Sequence, residues 1–452
     1  MKIIHLPFCF HPDPMGGTEI YVEALARELT KQGITNIITA PAPANQSYIY
    51  NQIPVRRFAI SPQVKHLKEI YGQGDELGAM EFSKVLDAEQ PDLIHLHAFT
   101  RGVSLRLVRL AKSRGIPVIF TYHTPTVSCQ RGTLLRWGNQ VCDGQIQLSQ
   151  CTACTLQSLG ISKSIAQTIS NLPPIVGATL TQINLSGGIW TALQMGELVN
   201  CRTQAFQSLM LEVDHIIAVC NWVKDVLILN QVSQGKITVI RQGLCQELPP
   251  EPREFSPLSS PTSGDKGSNP PLRLVFFGRL DPTKGIDILI QAFVAYPQLN
   301  ATLDIYGICQ STPGDSYQAK IQHLSRNDHR INWKTPVSAA QVVNTMKNYD
   351  LLAVPSQWLE TGPMVVLEAF AAGVPVIGSN LGGIKELVEH HVNGILVEAG
   401  CIKAWGEELQ FLCENREQLD RLQSGITPPP TMEMVAERMK LIYRQAGVQK
   451  AF

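Results

Sequence analysis

Glu360 and Glu368 are the only charges in PSQWLETGPMVVLEAFAAGVPVIGS, residues 355–379. DLLAVPS, ending at Ser356, reads as a buried strand, and Pro363 suits the first position of a helix with Gly362 or Thr361 as cap. Glu360 then sits in a strand-to-helix loop, and Glu368 more than one turn into the helix. Free N–H groups at a helix start favour an anion such as phosphate. Carboxylates on either side of it can accept hydrogen bonds from hydroxyls, a layout that sugar–phosphate–ribose has. The plain alternative is a solvated loop residue and a helix-face charge.

A second cluster, FFGRLDPTKGID, puts Arg279 and Lys284 in another strand-to-helix loop. Two cations there can clamp a diphosphate and stabilise its charge as it leaves; taken singly, each could be an ordinary surface cation. In PDPMGGTEIYVEAL, Gly16 and Gly17 precede a helix whose expected cap is Thr18. Glycines there let backbone approach a ligand closely, although the dinucleotide-binding G-x-G-x-x-G pattern is not present in this first turn. His123, in PVIFTYHTP, lies at the carboxyl end of a predicted strand, where a polar contact to substrate is expected. His95 and His97 in DLIHLHAF occupy the same kind of position.

Cys129, Cys142, Cys151 and Cys154 fall within 26 residues. The closing Cys-x-x-Cys has the bite of structural zinc sites, and two further thiolates would complete a tetrahedron. The intervals of 12 and 8 residues match no standard zinc finger. Buried free thiols, a disulfide or an iron–sulfur cluster are the alternatives.

Positioning these groups requires a scaffold of alternating strands and helices. KIIHL, NIITA, DLIHLHA and PVIFTYH are apolar runs separated by helical patterns, which predicts a parallel sheet covered on both faces. The rhythm restarts with LRLVFFG and continues through TLDIYG, DLLAVPS, PVIGS and GILVE. The expected organisation is an α/β chain of two Rossmann-like, doubly wound domains facing a cleft. Residues 1–246 form the first domain, with a Cys-rich insert at about 126–200. A Pro/Ser/Gly-rich linker follows at 247–271, then a second domain at 272–430. The helix at 431–452 is amphipathic through Met434, Met439, Leu441 and Ile442, and is expected to dock on the C-terminal domain.

Composition bounds the partners. Lys+Arg and Asp+Glu cancel at 38 each, so no global field favours nucleic acid or anionic membrane. The hydrophobic fraction of 44% is that of a globular chain with ample core. The start, MKIIHLPFCF, has no secretory pattern, and no 18-residue apolar run exists. These features predict a cytoplasmic protein with its eleven cysteines reduced. From Ser164 to Gly196 there is no charged residue. Loops and short helices packed on the first domain account for that stretch most simply; docking to the inner face of a membrane or to a lipid-linked acceptor is the sharper reading.

Together these motifs resemble the retaining glycosyltransferases of the GT-B fold, family 4. The residues carrying the resemblance are GGTEIYVEALARELTKQG, PDLIHLH, VIFTYHT, GRLDPTKGID, VPSQWLETGPMVVLEAFAAGVPVIGSNLGGIKELV and NGILV. They run in the family's order across nearly the whole chain, with Gln242 where the family commonly has Asn. The resemblance implies transfer of a sugar from a nucleotide-diphosphate sugar to a hydroxyl acceptor. Glu360 and the backbone of Thr361, Gly362, Pro363 and Met364 would contact the sugar and distal phosphate. Glu368 would bind the ribose, and Arg279 and Lys284 the diphosphate. Gly16 and Gly17 would close over the phosphates, and His123 would touch the sugar near its reacting carbon. No catalytic cofactor is implied, and the chain has no D-x-D motif, in keeping with a metal-independent reaction. A sugar epimerase or phosphorylase is the rival of the same fold; a catalytically silent nucleotide- or glycan-binding subunit is the rival of another class.

Overall fold

In the computed structural model the chain divides into two units, Met1–Cys245 with Met432–Phe452, and Gln246–Thr431. Residues 1–13, 16–182, 185, 187–246, 270–308 and 316–448 are described. Most of the expected linker, 247–269, lies outside them.

The first unit is built on β1 (Lys2–Leu6), β2 (Thr35–Ala42), β3 (Gln46–Tyr50), β4 (Ile53–Ala59), β5 (Leu93–Leu96) and β6 (Val118–Tyr122). A small hairpin, β7 (Leu135–Arg136) with β8 (Gln140–Val141), precedes β9 (His215–Ala218) and β10 (Ile237–Val239). The main sheet runs β10-β9-β6-β5-β1-β2-β4-β3. Its pairings are parallel except for the edge pair β3–β4. Helices on both faces explain why β6, VIFTY, is buried along its whole length.

The expected insert folds between β6 and β9 as helices Leu148–Ser158, Lys163–Ser170, Pro174–Gln182 and Gly188–Glu212. The first, second and fourth share a satellite core of Ala153, Leu156, Ala166, Met195 and Leu198. Much of the uncharged stretch therefore packs helix on helix.

The C-terminal helix, Met432–Val448, corrects an expectation. It docks on the first unit, against the helix Gly17–Lys31, rather than on the C-terminal domain. Val435, Ala436, Met439, Ile442 and Tyr443 join the core that holds Leu25 and Leu29, while Met434 and Leu441 face outward. The stripe at three- and four-residue spacing is visible in sequence; which surface receives it is decided by the fold.

The second unit contains β11 (Leu272–Arg279), β12 (Ala301–Ile308), β13 (Ile331–Trp333), β14 (Leu351–Val354), β15 (Val376–Ser379) and β16 (Gly394–Val397). Their order is β13-β12-β11-β14-β15-β16, all parallel. Leu272, Leu274 and Phe276 of β11 enter one helical layer and Val275 the other. Numbered within the unit, the order is 3-2-1-4-5-6, and it reverses between β11 and β14. Successive connections leave that point toward opposite faces, opening a crevice at the strands' carboxyl ends.

Candidate functional site

The two loops at that reversal carry the candidate charges. After β11, Asp281 accepts the N–H of Thr283 (2.9 Å) and caps the turn Pro282–Lys284. After β14, the N–H of Gln357 donates to the carbonyl of Thr283 (2.7 Å), which ties the two loops together. Lys284 Nζ thereby reaches Glu360 Oε1 at 2.6 Å. Ser356 Oγ donates to the same oxygen at 2.8 Å. Glu360 is 6% exposed, so it is no solvated loop residue. Burial works to raise its carboxyl, but Lys284 and the hydrogen bonds outweigh it and hold Glu360 below the ordinary carboxylate value. Arg279, the last residue of β11, stands 3.6 Å from Asp281 with its side chain 43% exposed.

The helix after Glu360 runs Met364–Ala371, with Pro363 as its N-cap. Pro363 is thus one position earlier in the helix frame than expected, and Thr361 and Gly362 precede the cap. Glu368 occupies the second turn of this helix and accepts from Gln246 Nε2 at 3.1 Å. Among the described residues no cation offsets its burial, which pushes it up to about 7. The two glutamates are therefore driven in opposite directions.

Sequence reasoning missed the support beneath Glu360. Gly383 N donates to the Glu360 carbonyl at 2.6 Å. A Cβ on Gly383 would come within 2.7 Å of that oxygen and 3.0 Å of the Thr361 carbonyl carbon. The Gly-Gly of SNLGGIKELV was the available signal. Ser356 and Gln246 carried none.

The remaining candidates lie in the first unit. Gly16, not Thr18, is the N-cap of the helix Gly17–Lys31. Its N–H donates to Glu19 Oε2 at 2.9 Å. Gly17 is the helix's first residue, while Pro14 and Met15 lie outside the described residues. His123 is 4% exposed and belongs to a row of imidazoles. His123 Nε2 lies 3.0 Å from His97 Nδ1, His97 Nε2 lies 3.2 Å from His5 Nδ1, and His5 Nε2 lies 3.1 Å from Asn36 Oδ1. Asn36 Nδ2 donates to Ile34 O and Thr30 Oγ1, which fixes Oδ1 as the acceptor. Each neutral ring then carries its proton on Nε2. His123 Nδ1 is left as an acceptor and faces Gln242 Nε2 at 3.5 Å. Burial drives His123 down to about 3, so it is neutral at ordinary pH.

Among the described residues, His5, His95 and His97 bring three ligand atoms within 4.8 Å of one another. His5 and His97 are committed to the imidazole row, and His95 bonds Tyr443 (2.7 Å) and Thr121 (2.6 Å). With their nitrogens engaged by protein, these rings form a structural network rather than a metal site. The four candidate cysteines are not drawn together as tightly, but all of them line one cavity of about 50 Å³. Cys129 follows the turn Pro125–Val127, Cys142 follows β8, and Cys151 and Cys154 lie on the helix Leu148–Ser158.

Two Rossmann-like units with parallel sheets, one in 3-2-1-4-5-6 order, define a GT-B fold. Two family models match the chain, Glycosyltransferase Family 4 over residues 15–172 and Glycosyl transferases group 1 over residues 264–426. The chain belongs to the group 1 glycosyltransferases of GT-B fold. A D-inositol 3-phosphate glycosyltransferase of Corynebacterium glutamicum is 32% identical over 156 residues, 33% of this chain and 37% of that protein. The protein of that name from Arthrobacter sp. is 24% identical over 418 residues, 88% of this chain and 82% of its own. The chain thus matches little more than a third of the length of the first of these relatives.

Among solved structures, Anabaena HepE in complex with UDP and glucose superposes with a TM-score of 0.60 at 17% identity, covering 98% of this chain and 100% of that one. Sucrose-phosphate synthase from Thermosynechococcus elongatus gives 0.64 at 16% identity, covering 98% of each chain. At such identities the likeness carries the fold. Among the described residues, no helix is long and apolar enough to cross a membrane.

Proposed function

We propose that this protein is a retaining, metal-independent glycosyltransferase that moves a sugar from a nucleotide-diphosphate sugar to a hydroxyl acceptor. The observation that carries the reading is the convergence of Lys284, Glu360, Arg279 and the start of the helix Met364–Ala371 at the reversal of one parallel sheet. Breaking the anomeric bond places positive charge on the sugar and negative charge on the departing diphosphate. Arg279, Lys284 and the helix N–H groups stabilise the latter. Glu360 and the backbone of Thr361 to Met364 hold the sugar and distal phosphate, and Glu368 accepts from the ribose hydroxyls. The acceptor oxygen bonds the anomeric carbon on the face the phosphate leaves. The leaving phosphate oxygen takes the acceptor's proton, so no protein nucleophile is needed.

In the first unit, Gly16 and Gly17 border the phosphates, and neutral His123 touches the sugar near its reacting carbon. Support for the donor class comes from the UDP and UDP-glucose held by HepE, and support for the reaction from the relatives' names. Peripheral membrane docking by the insert is supported by Ile165, Ile175, Ile189 and Trp190, exposed in its uncharged stretch.

A thermal-shift panel of UDP, GDP, ADP and CDP with matching nucleotide-sugars tests the donor site. One base should stabilise the wild type and not Glu368→Ala, and the product should keep the donor's anomeric configuration by NMR. No response to any nucleotide would overturn the reading in favour of a silent subunit.

A further inference from the structure

Among the groups the proposed reaction does not use, the most concentrated are the thiols of the insert. We propose that Cys129, Cys142, Cys151 and Cys154 form a four-thiolate zinc site that staples the insert, independently of glycosyl transfer. The sulfurs come from three stretches with little regular structure in common: the turn after β6, the exit of the β7–β8 hairpin and the first helix of the insert. All four border one cavity. Cys151 and Cys154 are three apart on that helix, so both sulfurs leave the same face. Zn–S bonds of about 2.3 Å place tetrahedral sulfurs about 3.8 Å apart, so the ion would draw the four together.

One of the sulfurs has a backbone donor directed at it. Trp137 N–H donates to Cys154 Sγ at 3.4 Å. N–H donors stabilise an anionic ligand, whereas a disulfide has no charge for them to stabilise. Gly144, two residues after Cys142, adopts φ +83°, a conformation that suits glycine.

The loop between the first two cysteines also needs an external tie. Gly132, Leu134, Trp137 and Gly138 all have positive φ, and two of them are not glycine. Its only strands, β7 and β8, are two residues each. A metal bound on either side of this hairpin, at Cys129 and Cys142, would supply that tie. Four thiolates leave no open coordination position, so the ion would be structural rather than catalytic.

The test begins with the full-length protein purified under reducing conditions without added metal. Elemental analysis should give close to one zinc per chain, released when p-hydroxymercuribenzoate titrates the thiols. Co²⁺ added to the stripped protein should show the visible absorption of tetrahedral thiolate cobalt. Cys142→Ser should lose that spectrum, and Glu368→Gln should keep both zinc and spectrum. Because a cysteine variant could fail to fold, the wild-type zinc content and cobalt spectrum stand as evidence without it. Iron in place of zinc, two disulfides among these cysteines in unreduced protein, or far less than one metal per chain with no cobalt spectrum would each overturn the proposal.

Discussion

Glu368→Gln separates two effects of one buried carboxyl. Its value near 7, against an ordinary 4.5, corresponds to about 3 kcal/mol at 1.36 kcal/mol per pH unit. Between those values the folded protein holds a proton that the unfolded chain has released. Stability from this group is therefore full below the unfolded value and is lost as pH rises through about 7. The glutamine keeps the shape and the contact with Gln246 but never charges. Wild type and variant should unfold at similar urea concentrations near pH 5, while the variant should be more stable by about 2–3 kcal/mol near pH 8. The nucleotide that the panel identifies should act in the opposite sense. If ribose hydroxyls bind the carboxylate form, wild-type affinity should fall up to tenfold per pH unit below about 7. The variant should bind more weakly and without that slope. Equal stability differences at both pH values, measured by urea unfolding without nucleotide, would refute the buried, uncompensated carboxyl.

Lys284→Ala leaves the Glu360 carboxylate buried beside Ser356 and should cost about 3–5 kcal/mol, besides lowering turnover. Adding Glu360→Gln should return much of the stability and none of the activity, as read by urea unfolding and a donor-turnover assay. Gly383→Ala should destabilise by about 1–3 kcal/mol and weaken donor binding, because its methyl meets the backbone that carries Glu360. Unchanged donor affinity would refute that support. His97→Ala interrupts the imidazole row, so kcat should fall about tenfold or more while the dissociation constant for nucleoside diphosphate stays unchanged. Rescue by His97→Gln, which can still donate toward His5, would separate positioning from lost packing.

The strands of both sheets are legible because a strand buried on two faces reads as an apolar run, as in LRLVFFG and VIFTYH. The glutamates, Arg279 and Lys284 are legible as candidates because each interrupts or follows such a run where a helix begins. Their electrostatic states are not legible. The 2.6 Å contact of Lys284 with Glu360 spans 76 positions of sequence, and among the described residues Glu368 has no such cation beside it. Residue type assigns these two carboxylates alike, whereas the neighbours brought by the fold set them apart. The cap of the helix Gly17–Lys31 shows the same limit on a local scale. Gly16 and Thr18 are both acceptable caps by composition, and the choice rests on where the backbone turns.

Topology explains why the distant pieces converge in each unit. In the second sheet the chain returns beside β11 only at β14, after β12 and β13 have filled the other side. The loops after β11 and β14 therefore flank the reversal although Lys284 and Glu360, one in each, are 76 positions apart, a placement that no local pattern encodes. The first sheet repeats the arrangement, with β1 between β2 and β5. Gly16 follows β1, His97 follows β5, and His123 follows β6 one strand further out. The hydrogen-bonded row from Asn36 through His5 and His97 to His123 runs across these four neighbouring strands from β2. It can fix the tautomer of His123 only because the sheet is parallel and in register there, with His5 opposite both Ile38 and His95. A one-residue slip of β5 would turn His97 to the other face and break the row at its centre, so the register of β1 against β5 is itself part of what holds His123 in its accepting form.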